Sequence, residues 1–185
     1  MDKFFGNLHL VLVAGIALAL VVIVTVPAGA DTVPAIFRWL HVFFGITWIG
    51  LLYYFNFVQI PTMPKVPAEL KPGVSKYIAP SALFFFRWAA LCTVITGLIV
   101  AWLSGYLHGA LLLQQPYLLI GIGMWLALIM AANVWFVIWP NQKKALGIVP
   151  ADDAVKAKAA KVAMMASRTN TLLSFAMLYC MVNFT

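Results

Sequence analysis

Charged residues are scarce in this sequence. Only 9% of its 185 residues are charged and five are acidic, whereas 64% are hydrophobic. Soluble globular proteins have about 25% charged and about half apolar residues, so the composition excludes a soluble domain. No pair of acidic residues lies within a long apolar segment, which leaves no residues for a carboxylate proton relay inside a membrane.

Cysteines and catalytic motifs are equally scarce. The two cysteines, Cys92 and Cys180, lie in apolar segments without a CxxC or CxxCH pattern. This spacing excludes the attachment of a c-type haem within this sequence. HExxH, GxSxG, P-loop and Rossmann patterns are also absent, so hydrolysis and phosphoryl transfer have no residues to carry them, and we assign no catalytic residue.

Long apolar segments dominate the chain instead. A helix that crosses a membrane needs about 20 mostly apolar residues. Five segments qualify, and the last has a cytoplasmic helical extension from residue 151: residues 7–28, 34–60, 80–104, 116–139 and 166–184. We therefore predict an all-α integral membrane protein, a bundle of five transmembrane helices in a single domain over residues 1–185.

Prolines mark the predicted boundaries. The second, third and fourth segments begin at Pro34, Pro80 and Pro116, and proline is tolerated in the first turn of a helix. The first segment is too long in its apolar part for a usual signal peptide, so we expect a retained helix. Residues 59–79 contain four prolines and are predicted to form an irregular interfacial loop.

The basic residues predict the orientation. They outnumber the acidic residues by twelve to five, but they separate apolar segments rather than cover one folded face, so no nucleic-acid partner is expected. With a cytoplasmic N-terminus and a periplasmic C-terminus, eleven of the twelve lie on the cytoplasmic side, as the positive-inside rule requires. Arg38 is the exception.

His41 is the best-placed ionisable residue within an apolar segment, a location that suggests function. On a helical wheel it shares one side with Arg38, Gly45 and Trp48. A nearby glycine leaves room for a flat macrocycle and the arginine can pair with carboxylates, so the group fits haem b with His41 as an axial ligand. Alternatively, His41 hydrogen-bonds another helix, Gly45 allows close packing and Arg38 extends to the interface.

A second axial ligand is harder to assign. His108 is expected on the same side of the membrane as His41 but about 10 Å further out, a gap that helix tilt or a re-entrant loop could close. A His41/His108 pair is therefore one hypothesis for the iron ligands. An exposed loop histidine is the alternative for His108, and a methionine is the alternative ligand. In the last segments, Asn133, Ser167, Asn170 and Ser174 are expected to hydrogen-bond across helices.

Several motifs resemble one known family. The runs RWLHVFFGITWIGLLYYFNFVQ, FRWAALCTVITGL, IWPNQKK and SRTNTLLSFAMLYCMVNF are similar, in this order, to the membrane domain of bacterial urate hydroxylase, the urate oxidase N-terminal family. The resemblance implies a domain of the bacterial inner membrane that works with a periplasmic cytochrome c, here expected to be a separate chain. It adds Arg87 and Asn170 to the positions of interest.

Two functions from different classes remain open. The first is a membrane redox or electron-transfer subunit with haem b, working with a cytochrome c. The second is a non-catalytic accessory subunit that packs against a larger respiratory or oxidase complex. A small transporter is a weaker third hypothesis, based only on Gly121, Gly123 and Asn133 in the fourth segment.

Overall fold

The described residues, 2–184 of a computed structural model, form helices and no strand. This confirms the predicted all-helical class. Seven helices, α1 to α7, follow in chain order: Asp2–Phe5, Leu8–Thr25, Thr32–Lys65, Lys71–Leu103, Leu107–Leu111, Leu118–Ala145 and Asp153–Val182. The helix α5 lies at the end of the bundle where α3 and α6 begin and where α4 and α7 end, which we call the α5 end.

Four of these helices, α2, α3, α4 and α6, are long and apolar enough to cross a membrane. The helix α7 has 30 residues, but its first half carries three lysines and is too polar to meet the same criterion. Asp152 caps α7 by accepting a hydrogen bond from the backbone N–H of Val155 at 2.8 Å. A single helix thus includes both the predicted last segment and its extension, as the sequence indicated.

The predicted loop at residues 59–79 is wrong. Helix α3 continues to Lys65 and α4 begins at Lys71, so only five residues between them are not helical. Each of three π-helical stretches ends two residues before a proline: Tyr54–Gln59 before Pro61, Val74–Ile78 before Pro80, and Val134–Ile138 before Pro140. A proline within a helix removes a hydrogen bond and clashes with a preceding carbonyl, and the wider π-turn accommodates it.

The prolines therefore do not begin the helices as predicted. Pro80 lies inside α4, and Pro116 precedes α6, which starts at Leu118.

The core lies between α3, α4, α6 and α7. Helix α3 packs mainly on α4, and α7 packs mainly on α6. Trp48, Leu52, Phe86 and Met130 are among the largest fully buried side chains. In contrast, α2 has no buried residue and is apolar on all sides, which suits a helix surrounded by lipid.

A belt of polar side chains joins α7 to its neighbours. Asn133 donates to the Asn170 side-chain oxygen at 2.7 Å, and Asn170 donates to the Met130 carbonyl at 3.0 Å. Asn56 donates to the Ser167 hydroxyl at 2.8 Å, and Tyr53 and Ser174 share a hydrogen bond of 3.0 Å. The interhelical hydrogen bonds expected for the serines and asparagines of α7 are therefore present.

Candidate functional site

A cavity of about 1030 Å³ opens between α3, α4, α6 and α7 towards the α5 end. All four residues predicted on one side of the second segment line it: Arg38, His41, Gly45 and Trp48. Its volume lies at the upper end of the range of about 300–1,000 Å³ that is usual for ligand pockets. Helix α3 thus supplies one wall of a cavity large enough for a cofactor.

The His41 imidazole is oriented by the neighbouring helix. Its Nδ1 atom lies 2.8 Å from the carbonyl oxygen of Thr93 on α4. Because a carbonyl can only accept, Nδ1 carries the hydrogen and Nε2 keeps its lone pair. Within residues 2–184, Nε2 has no hydrogen-bond partner, so this nitrogen is free to act as a ligand.

A glycine on α4 makes room for this ring. A Cβ atom at Gly97 would lie 2.7 Å from Cε1 and 2.9 Å from Nδ1 of His41, closer than real contacts allow. At Gly45 a Cβ atom would meet only Thr93, at an ordinary 3.9 Å. Gly97, which the sequence analysis did not single out, is therefore the glycine that the histidine requires. Gly45 adjoins α4 and the cavity without a comparable constraint.

We expect Gly97→Ala to displace the His41 ring and to lower the free energy of unfolding by about 1–2 kcal/mol, since overpacking a close helix contact is costly. Thermal unfolding in detergent, followed by circular dichroism, measures the effect. Gly50→Ala is the matched control, because a Cβ atom at Gly50 meets nothing within 4 Å. Equal stability of the two variants would contradict the tight packing of His41 on Gly97.

The mouth of the cavity is polar and aromatic. Arg38, Ser104, Tyr106 and Tyr117 line it. The ring of Tyr106 stacks on Tyr117 at a centroid distance of 5.9 Å and contacts Phe184 edge to face at 5.1 Å. Burial raises the pKa of the Tyr106 phenol, and the positive charge of Arg38 opposes that rise. The guanidinium and the phenol are thus close enough to interact with the same anionic group.

The wall opposite His41 comes from α6 and α7. It contains the thioethers of Met124, Met177 and Met181, together with aliphatic side chains. In the same cavity wall as His41, Trp48 is 0% exposed and its indole N–H has no partner in the described part of the chain. The cavity therefore combines an oriented imidazole, soft sulfur atoms and apolar walls.

Other predicted positions lie elsewhere. His108 is exposed on α5 and does not line the cavity, so the structure does not bring it together with His41 there. The Arg87 guanidinium lies 3.9 Å from the centroid of the Trp139 ring, a cation–π contact between α4 and α6. Asn170 belongs to the polar belt. Among residues 2–184 no cluster of three His, Cys, Asp or Glu residues could hold a metal ion.

The fold and cavity define a class: an all-helical protein with several membrane-compatible helices and a cofactor-sized cavity. Residues 114–184 match the family model described as urate oxidase N-terminal, which supports the resemblance seen in the sequence. The matched part includes α6, α7 and the methionine wall, and excludes the His41 wall. No curated protein and no solved structure matches the chain.

Proposed function

We propose that this chain is a membrane redox subunit, related to urate hydroxylase-like proteins, which binds haem b in the cavity with His41 as an axial ligand. The observation that carries the proposal is the His41 imidazole at the cavity wall, held by Thr93 so that Nε2 is available. Ligating histidines typically donate their other ring N–H to a carbonyl or carboxylate, which fixes the tautomer and the ring orientation.

The residues of the cavity fit haem in three respects. The apolar walls suit a macrocycle, and the volume of about 1030 Å³ is large enough for a cofactor. The cation of Arg38 and the hydroxyl groups of Ser104 and Tyr106 lie where propionates would meet the interface. Haem supplies one-electron chemistry, and the protein sets its potential through the axial ligands and burial.

Placement in the membrane is part of the same proposal. We propose five spanning helices in the bacterial inner membrane, α2, α3, α4, α6 and the second half of α7, with a cytoplasmic N-terminus and a periplasmic C-terminus. Nearly all basic residues then lie on the cytoplasmic side. The cavity opens at the α5 end, which becomes the periplasmic side. A periplasmic cytochrome c is the partner that this arrangement allows to exchange electrons with the haem.

The test is a reduced-minus-oxidised absorption spectrum of the protein purified in mild detergent after expression with sufficient haem supply. We expect a Soret band and the α and β bands of a b-type haem, together with one haem per chain in a pyridine haemochrome assay. A folded, monodisperse and colourless preparation that also fails to take up added haemin would refute the proposal.

A second function is supported by the first long helix. Helix α2 has no buried residue and makes no extensive contact with the other long helices, which leaves its surface free for another protein. This favours an accessory subunit of a larger respiratory or oxidase complex. Crosslinking from residues of α2 in native membranes tests it: crosslinks to a specific membrane protein support a subunit role, and crosslinks to lipid alone exclude one through this helix.

A further inference from the structure

We infer that the thioether of Met181 is the second axial ligand of the haem, opposite His41. The inference rests on the proposed function and concerns which residue completes the coordination of the iron. Three methionines line the wall opposite His41, whereas His108 is exposed on α5 and lies outside the cavity lining. The heights of the helices in the bundle distinguish between the three methionines.

The contact between α3 and α4 fixes the height of His41. Gly45 faces Thr93, with 3.9 Å between a Cβ built at Gly45 and Thr93 Cγ2. The two helices run in opposite directions, so His41, one turn nearer the α5 end, stands level with Gly97. The close approach of the His41 ring to Gly97 agrees with this register.

Two further contacts carry this height across the bundle. The Trp88 and Trp135 rings meet at 5.4 Å, so Gly97, nine residues further along α4, is level with Leu126 on the antiparallel α6. Asn133 bonds to Asn170, and in the same register Leu126 is level with Met177. The contact of Gly123 with Cys180 confirms this register near the α5 end.

Met177 thus lies at the height of the His41 backbone, and Met181 lies one turn, about 6 Å, closer to the α5 end. The Cα–Cβ bonds of a helix tilt towards its N-terminus. Helix α3 begins at the α5 end, so the His41 ring leans towards that end. Helix α7 finishes there, so the Met181 side chain leans back towards His41.

The other two methionines lean away from this meeting point. Met177 starts level with His41 and leans away from the α5 end. Met124 starts nearer the α5 end than His41 and, because α6 also begins there, leans further towards it. Only Met181 and His41 converge on the same height from opposite walls. Histidine and methionine together form an established ligand pair of haem iron, one that raises the reduction potential.

The experiment compares Met181→Leu with the matched control Met124→Leu, both loaded with haem in detergent. Leucine conserves the volume of methionine, so both variants are expected to fold. In the wild type and in Met124→Leu, we expect a six-coordinate low-spin spectrum and reduced haem that resists carbon monoxide. In Met181→Leu we expect the loss of the low-spin bands, carbon monoxide binding to the reduced haem and a lower midpoint potential.

The outcomes separate the two proposals. If Met181→Leu keeps the wild-type spectrum and potential, or if the change appears in Met124→Leu instead, the assignment of Met181 is overturned while haem binding stands. If the wild type binds no haem at all, the proposed function fails first, and the spectrum of the wild type alone reveals this.

Discussion

Replacing His41 by alanine is expected to abolish the Soret absorption of the purified protein. The change removes the only imidazole that lines the cavity among the described residues, and with it the ring nitrogen that Thr93 holds ready for the iron. Neither of the other two histidines of the chain, His9 and His108, lines the cavity. Haem content per chain, measured by pyridine haemochrome after equal expression, should fall from one to near zero.

The matched control is His108→Ala, since His108 is exposed and lies outside the cavity. This variant should keep the full haem content of the wild type. Circular dichroism and gel filtration establish that the His41→Ala protein is still folded, because the lost hydrogen bond to Thr93 is worth only about 0.6–1.7 kcal/mol in a membrane protein. Full haem retention in folded His41→Ala protein would exclude His41 as the ligand, and loss of haem in His108→Ala would point to a different site.

The fold class was predictable because it depends on composition and segment length. Apolar runs of about 20 residues admit little other than helices, since the backbone must satisfy its own hydrogen bonds in lipid. The helix boundaries were less predictable. Pro61 and Pro80 usually indicate the end or the start of a helix, but π-turns carry α3 and α4 through both positions. A π-turn depends on packing around the proline, which the local sequence does not reveal.

The cavity was predictable on one wall only. Arg38, His41, Gly45 and Trp48 belong to one helix, and helical periodicity is sufficient to place them on a common side. The residues that orient or face them come from other helices. Thr93 acts through its backbone carbonyl, and Gly97 acts by lacking a side chain, so neither residue type signals its role. Their relation to His41 depends on the register between α3 and α4, which only the tertiary structure supplies.

The polar belt explains how the methionine wall is held at its height. Asn170 is 0% exposed and lies in the middle of α7, where it contacts α6 twice. The hydrogen bonds of Asn56 and Tyr53 connect the same helix to α3. Directional bonds of this kind fix the rotation and height of a helix, whereas apolar contacts alone allow it to slide. The belt therefore sets the position of Met181 relative to His41.

Asn170→Leu is expected to lower the free energy of unfolding by about 2–3 kcal/mol, because interhelical hydrogen bonds of about 0.6–1.7 kcal/mol each are lost and a buried donor on Asn133 loses a partner. Leucine is similar in size, so the loss reflects polarity and not volume. Denaturation with sodium dodecyl sulfate in mixed micelles, followed by circular dichroism, gives the free energies. Haem-free protein should be used, so that ligand binding does not add to the difference.

Asn183→Leu is the matched control, with the same chemical change at the end of α7. Asn183 is exposed, and its amide donates only to the Tyr179 carbonyl of its own helix. This variant should change the free energy of unfolding by less than about 0.5 kcal/mol, as surface substitutions usually do. If both variants lose the same stability, the belt does not hold α7 against α6. If only Asn170→Leu is destabilised, and its haem-loaded form also has a shifted midpoint potential, the belt both stabilises the bundle and positions the ligand wall.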